Sequence, residues 1–410
     1  MADKPSKREL RKRKKEIKRK HRREAGKPAS DLGGFAVKLG EAAGGFDVKV
    51  VITVMLFSLF GLAMVFSAGY YQTINTTHPN PFYYLIRQGM FVVSGWILMF
   101  IFANFDYHYY RKLGWLAALA SIGMLVLVLV IGQDVNGAIR WINVGPVRIT
   151  PSEFSKFLVI IFTSTYLIKN PRNIKTIKGL LVLTVVMAAH FALIYLQPNL
   201  STAIVIVMIM LAIMIVGGLH PVFLVLPVTA AVGGYYYILN YKKDTHWYER
   251  LTSFVDPFAD RQGDGYQVTQ GLIALGNGGI KGLGFGRSIS KNMYLPEPQN
   301  DFILAIMGEE LGYIGFLALM AAYMGLMFMI FMIALRAKDR LGFYLATGVA
   351  VMLGLQVIIN VAVVTASMPA TGITLPFISY GGTSMWSFMI SMGIALNVSK
   401  KSRKQRKAGT

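Results

Sequence analysis

The run DFILAIMGEELGYIGFLALMAAYMGLMFMIFMIAL, residues 301–335, carries its only charges, Asp301, Glu309 and Glu310, within the first ten positions. At about 1.5 Å of rise per residue, a helix of this length more than covers a hydrocarbon layer of about 30 Å. Such a segment belongs in a membrane, with its acidic end near a surface. Working outward, apolar runs of comparable character occur at about 48–69, 83–103, 113–132, 152–168, 178–196, 201–217, 219–241, 341–366 and 384–398. The expectation is an all-α polytopic membrane protein of about ten transmembrane helices.

Composition agrees with that reading. The 410 residues are 54% hydrophobic and 15% charged, too little polar material to clothe a soluble protein of this size. Cysteine is absent, which excludes disulfides, iron–sulfur clusters, zinc-thiolate sites and thiol catalysis. The net charge of +22 is concentrated at the ends: residues 1–28 hold 14 of the 42 Lys and Arg, and KKSRKQRK follows the last apolar run. Basic ends beside membrane spans mark cytoplasmic termini and attract anionic lipid headgroups; this reading is favoured over binding to nucleic acid. The first apolar run begins only near Val50 and many follow, so no cleavable signal peptide is read.

With the N-terminus inside, the internal loops and their edges contain Arg111, Lys112, Lys169, Arg172, Lys175, Lys178, Arg336, Lys338 and Arg340, while 70–82 and 367–383 contain neither Lys nor Arg. This asymmetry predicts an even number of spans with both termini cytoplasmic. The division is then a basic tail and linker over 1–47, a ten-helix domain over 48–398, and a second basic tail over 399–410. Every loop of unusual composition falls outside: 133–151, the turn 197–201, 367–383, and the large extracytoplasmic loop 242–300 between the seventh and eighth helices. That loop is long enough to be a functional element, and its amphipathic stretches at Tyr248–Phe258 and Tyr266–Leu275 suit the interface.

Three outer elements carry chemistry. In NGAIRWINVGPVRITPSEFSKF, residues 136–157, Pro151 fits a first helical turn and Glu153 sits where the helix dipole favours a carboxylate. Glu153 and Lys156 share a helix face and form either a structural ion pair or a polar cavity wall. Arg140 and Arg148 are candidate phosphate binders, because a guanidinium engages two anionic oxygens at once. In GNGGIKGLGFGRSISKNMYLPEPQND, residues 276–301, the glycines Gly282, Gly284 and Gly286 lack the strand, helix and lysine of a nucleotide loop and are read as permitting close backbone approach. Asp256, Asp260 and Asp264 do not have calcium-loop spacing. Asp301 is either a helix N-cap or, held beside cationic loops, a general base. Glu309 and Glu310 are expected in a structural polar network. The third element, SMPATGITLPFISYGGTS over 367–384, has helix-breaking Pro and Gly with the hydrogen-bonding groups of Ser379, Tyr380, Thr383 and Ser384, which suits a cavity lining or an ordinary re-entrant turn.

NGAIRWI…PSEFSK, QPNLSTA, YLPEPQNDFI…GEELGYIG and PATGITLPFISYGGTS, in this order, closely resemble the SEDS family (shape, elongation, division and sporulation) across residues 48–398. The segment GFGRSISKNMYLPEPQNDFI is closer to its FtsW/SpoVE branch than to RodA. The resemblance implies a peptidoglycan glycosyltransferase in the cytoplasmic (inner) membrane that polymerises lipid II into β-1,4 glycan at the outer face, at the division septum or in sporulation, releasing undecaprenyl diphosphate. It also implies a class B penicillin-binding protein and other divisome membrane proteins as partners. The family's essential aspartate falls on Asp301, and its PSE-x-x-K charges on Glu153 and Lys156. Asn199 stands where the family commonly has Asp, and Asn300 where Thr is frequent.

One base with cations suffices for this chemistry, because a diphosphate leaves readily once its charge is balanced; hydrolysis of an unactivated glycoside takes two carboxylates. Asp301 is expected to take the proton from the GlcNAc 4-hydroxyl. Lys156 and Arg140, with Arg287, Lys291 or a divalent cation (Mg or Mn) as candidates, are expected to stabilise the departing diphosphate, with Ser379 and Tyr380 lining the cavity. No metal site is read from the residues. A lipid II flippase and a noncatalytic divisome scaffold are the alternatives.

Overall fold

Each of the ten apolar runs is helical in the computed structural model, which describes residues 45–74, 80–135, 138–145, 147–172, 174, 176–241, 254, 257–258 and 265–408. The helices are α1 (Val48–Ile74), α2 (Tyr83–Asn104), α3 (Tyr110–Ile131), α4 (Pro151–Lys169), α5 (Ile177–Tyr195), α6 (Leu200–Val216), α7 (Val225–Tyr241), α8 (Tyr266–Gly278), α9 (Ile303–Leu335), α10 (Arg340–Val364) and α11 (Gly382–Ala408). Of these, α8 is short and lies in the large loop, where its first ten residues coincide with the expected amphipathic stretch. The basic N-terminal tail, Asp256, Asp260, Asp264 and most of Tyr248–Phe258 lie outside the described residues.

Among the described residues, six helices are long and apolar enough to cross a membrane by length and composition, α1, α2, α9 and α10 included. Large apolar side chains point out of the helix bundle, with Leu56 61%, Ile97 57%, Leu119 62% and Phe328 63% exposed. Water would penalise each by about 1.5–3 kcal/mol, whereas lipid tails do not. The chain is a multi-pass membrane protein, and the residues from Val50 onward form one compact unit. Within it α2 lies along α11, α3 along α4, and α9 along α10, with α4 and α6 both packed on α10.

Caps are read easily from the chain. Pro151 occupies the first turn of α4, as expected. Asn199 caps α6 through Thr202 N at 3.4 Å, and Asp339 caps α10 through Gly342 N at 2.6 Å. Asn199 therefore has a local structural task at the position where the resemblance raised the loss of a carboxylate.

Three features depart from a plain helix count. The segment 133–151, expected as a loop, holds a three-stranded antiparallel sheet: β1 (Gln133–Val135), β2 (Ala138–Val144) and β3 (Val147–Ile149). Ile142 faces Ile149 and Val144 faces Val147 across the Gly145 turn, so β-branched residues meet in cross-strand pairs. Asp301 stands outside α9, whose N-cap position is Phe302. The N-cap reading of Asp301 is therefore corrected.

The third departure explains the excess length of α9. Gly312 leaves helical geometry, with φ 68° and ψ −170°. The Gly-rich loop after α8 fills the break. Leu283 N and Gly284 N donate to Glu309 O and Glu310 O, both at 2.9 Å, while Tyr313 N donates to Gly279 O at 2.9 Å and Ile314 N to Ile280 O at 3.2 Å. A Cβ on Gly282 would lie 2.2 Å from Glu310 O, and one on Gly312 2.3 Å from Gly282 N. These glycines permit the close backbone approach read from the sequence.

At the opposite end of α9, polar side chains clasp the helix ends together. His108 places Nδ1 2.7 Å from Asp106 and Nε2 2.8 Å from Asp339, and Lys401 pairs with Asp106. Burial alone would raise the Asp106 pKa, but hydrogen bonds from Lys401 and His108 outweigh it and hold the carboxyl at about 2. Asn397 bridges the same region, accepting from Tyr107 N at 3.0 Å and donating to Ala103 O at 2.7 Å.

Gly282→Ala is expected to destabilise the protein by at least the ~1–3 kcal/mol of left-handed strain, since the methyl also meets the Glu310 carbonyl. Thermal unfolding in detergent checks this: Gly276→Ala, where the Cβ meets nothing within 4 Å, should unfold like wild type.

Candidate active site

Asp301 ends the Pro296–Asp301 segment and lies against the re-entrant loop that precedes α11. Its main-chain carbonyl accepts from Asn360 Nδ2 on α10 at 2.8 Å, and the same nitrogen reaches Ile373 O at 2.7 Å. Two residues earlier, Gln299 O accepts from Tyr380 N at 2.9 Å. The chain on both sides of the carboxylate is thus tied to the loop 372–380. A Cβ on Gly372 would lie 3.8 Å from Asp301 Oδ2, so this backbone runs beside the carboxylate itself.

The loop is built rigidly, although it is not regular structure. Gln88 of α2 donates to Ser379 O at 3.1 Å and accepts from Gly381 N at 3.2 Å. Ser379 Oγ accepts from Leu375 N at 2.8 Å, and Tyr323 OH donates to Pro376 O at 2.5 Å. Phe377 is held at φ 65°, a conformation unusual for a bulky residue, between the rings of Phe57 and Phe388. Ser379 therefore serves the loop's own backbone. The Tyr380 ring sits edge-on to Tyr84, centroids 5.0 Å apart.

The start of α4 joins the same surface. Thr383 accepts from Thr150 N at 3.2 Å and donates to Arg148 O at 3.3 Å, and Ser387 donates to Glu153 O at 2.7 Å. Lys156 is buried, with Nζ 2.6 Å from Glu153 Oε1. The expected pair is formed. Its ammonium is desolvated, and the second Glu153 oxygen has no partner among the described residues.

The other expected cations have different surroundings. Arg140 donates from Nε to Gln197 O at 3.0 Å and from Nη2 to Pro198 O, so it staples the sheet to the turn before α6. Lys291, expected near the diphosphate, is 3% exposed, with Nζ 2.8 Å from Glu310 and 3.0 Å from Ser67 Oγ. It is the counter-ion of a buried acid. Around it Ser67 donates to Glu310 at 2.6 Å, and Ser288, Ser290 and Asn277 donate to Glu309, which is the polar network expected for these two glutamates. Arg287 lies exposed in the same loop, and Arg148 stacks over the Trp141 ring at 5.5 Å. Among the described residues no three His, Asp or Glu gather as a metal-binding group. Gln88, Gln299 and Asn360 went unnoticed in the sequence; for Gln88 and Asn360 an amide inside an apolar run is the signal that could have found them, whereas Gln299 lies in the polar stretch EPQND.

Residues 47–404 match the FtsW/RodA/SpoVE family of cell cycle proteins. The chain belongs to this family. It is 38% identical to stage V sporulation protein E of Bacillus subtilis over 363 residues, 87% of this chain and 98% of that protein. It is 37% identical to the probable peptidoglycan glycosyltransferase FtsW of Coxiella burnetii, covering 86% and 96%. In fold it is similar to Thermus thermophilus rod shape determining protein RodA, with a TM-score of 0.65 at 24% identity, covering 87% and 97%. It is also similar to a chain in the structure described as "Structural coordination of polymerization and crosslinking by a peptidoglycan synthase complex", with a TM-score of 0.67 at 24% identity, covering 87% and 98%.

In this FtsW/RodA/SpoVE chain, Lys291→Ala should cost about 3–5 kcal/mol, because it leaves Glu310 charged and buried without its partner. Adding Glu310→Gln should recover part of that loss. A double-mutant cycle on unfolding in detergent reads the coupling directly; additive losses would show that the pair is not a unit.

Proposed function

We propose that this protein is a peptidoglycan glycosyltransferase that polymerises lipid II at the outer face of the cytoplasmic membrane during septal wall synthesis. The observation that carries the reading is the convergence of separate chain segments on one carboxylate: Asp301 lies where the Pro296–Asp301 segment, the loop 372–380 and α10 meet. The names of the relatives support the reaction, and the basic ends support ten spans with both termini in the cytoplasm. A class B penicillin-binding protein is the partner that would cross-link the product.

The step balances without further reactants. The 4-hydroxyl oxygen of the acceptor's GlcNAc attacks the anomeric carbon of the donor, and the carbon–oxygen bond to the lipid diphosphate breaks with its electron pair on the leaving group. The hydroxyl proton passes to the Asp301 carboxylate. A single displacement inverts the α-linked donor to a β-1,4 linkage. Lys156, buried beside Glu153 at the start of α4, where the helix is hydrogen-bonded to α11 just beyond the loop 372–380, is the first candidate cation to stabilise the departing diphosphate, because a charge interacts more strongly in a low dielectric. Arg287, exposed in the loop, is the second candidate.

The test uses purified protein with a transpeptidase-inactivated penicillin-binding protein and labelled lipid II. Asp301→Asn is expected to lower glycan formation by about 10²–10⁴-fold, the range that general-base catalysis supplies. Normal polymerisation by that variant would remove the assignment, and lipid II transfer between leaflets without glycan formation by the wild type would indicate a transporter. Because the chain has no cysteine, Tyr294→Cys supplies a unique reporter. An impermeant thiol reagent should label it from outside intact cells, and labelling only after permeabilisation would put the chemistry on the wrong side.

A further inference from the structure

We infer that Asn360 is a positioning residue for the transfer reaction: its side-chain amide fixes the Asp301 carboxylate against the Gly372 backbone. The inference rests on the proposed role of Asp301 and adds to it a residue that never needs to touch substrate. Asn360 lies on α10, one turn before that helix ends at Val364, and is 1% exposed. Its Nδ2 donates to Asp301 O and to Ile373 O, so one amide group closes the Pro296–Asp301 segment onto the loop 372–380.

The amide orientation follows from chemistry. Two carbonyl oxygens at 2.8 and 2.7 Å require both N–H donors of an amide nitrogen, and the reversed amide would set oxygen against oxygen. Either carbonyl left without its donor in this buried position would be unsatisfied, so the pair holds only while a double donor occupies position 360. Leu, Ile or Val, which surround it on α10, would fill the volume but supply no donor. A carboxylate of the same shape would supply no donor either, and would place a negative charge beside the Asp301 main chain.

The second tie, Tyr380 N to Gln299 O, lies on the other side of the loop and fixes where the segment runs, but not the rotation of Asp301 about it. The Asn360 contact, by contrast, is made at the aspartate's own peptide unit. Loss of it should therefore affect catalysis more than substrate binding, since a shift of about 1 Å in a reacting group costs on the order of 10²-fold in rate.

The experiment compares Asn360→Asp with wild type and Asp301→Asn as full-length protein with its penicillin-binding protein and labelled lipid II. Asn360→Asp is expected to lower kcat by at least tenfold with KM within about twofold. It is also expected to move the acidic limb of the pH–rate profile upward, because the added carboxylate disfavours ionisation of Asp301. A purely structural role would lower the amount of folded protein but leave the kcat and pH profile of the surviving fraction unchanged. If Asn360→Asp does not give monodisperse protein, Asn360→Ser, smaller and keeping one donor, carries the same test with a smaller fall in kcat. Wild-type kcat and pH profile in whichever variant folds would overturn the inference. If Asp301→Asn were fully active, the proposed function would fail; if Asp301→Asn were inactive and the Asn360 variants normal, the positioning role alone would fail.

Discussion

Glu309 and Glu310 lie in a helix whose remaining side chains are almost all apolar, and both are completely buried. An isolated carboxylate there would cost several kcal/mol even after relaxation, so the fold must bring partners to it. It does so with a loop. Ser288, Ser290 and Lys291 reach the two acids from the segment after α8, and Ser67 reaches Glu310 from α1. To deliver those side chains, the loop backbone must pass close to α9, which is where Gly312 breaks the helix and Gly282 enters. The acids, the glycines and the break are therefore one structural fact. The loop that continues from this anchor leads to Asp301.

Non-helical backbone packed among membrane helices faces the same constraint, since no solvent is at hand to satisfy it. The loop 372–380 solves it with side chains borrowed from three helices: Gln88 from α2, Tyr323 from α9 and Asn360 from α10. Gln88 and Tyr323 come from elements distant in sequence, so the loop cannot adopt its form until the helices are assembled. A rigid loop built this way can hold a left-handed Phe377 and keep the adjoining Pro296–Asp301 segment at a fixed position, which a catalytic group needs and a mere connection does not.

Most of the fold was legible because apolar periodicity is a local property. The runs at 83–103 and 341–366 match α2 and α10 to within a residue or two, and Pro151 marked the start of α4. Asp301, the Glu153–Lys156 pair and the network of Glu309 and Glu310 were likewise visible, because ionisable groups in apolar surroundings stand out. What stayed hidden were partners. Arg140 read as a free cation, yet its acceptors are main-chain carbonyls of Gln197 and Pro198, which have no signature in sequence. Lys291 read as a loop cation, while its counter-ion lies on a helix it could not be known to touch. The sheet at 133–149 was missed because β1 and β3 are too short for alternation to be counted, and the seven residues AIRWINV of β2 do not alternate apolar with polar. Asn360 was missed because an isolated amide in a long apolar run, like Gln356 one turn before it, looks like tolerated polarity.

The polar groups divide by how well they are satisfied. Around Glu309 and Glu310 almost every polar atom has a partner, with the acceptor Glu310 Oε2 the exception among the described residues, and such saturation describes a structural joint. On the faces of α4 and α10 and in the loops near Asp301, several buried atoms have no partner among the described residues: Glu153 Oε2, Ser152 Oγ, Gln299 Oε1, Asn360 Oδ1 and both polar atoms of Gln356. Buried groups with unused hydrogen-bonding capacity are costly unless water or a ligand meets them, so their clustering marks where a polar headgroup could be received. Farther from Asp301 along these two helices, the unsatisfied atoms are only the hydroxyls of Thr163, Ser164 and Thr347. Those are weak, neutral groups, ill suited to carry a diphosphate across the bilayer. The gradient from charged and amide groups at the Asp301 end to hydroxyls at the other favours chemistry at one surface over passage through the membrane.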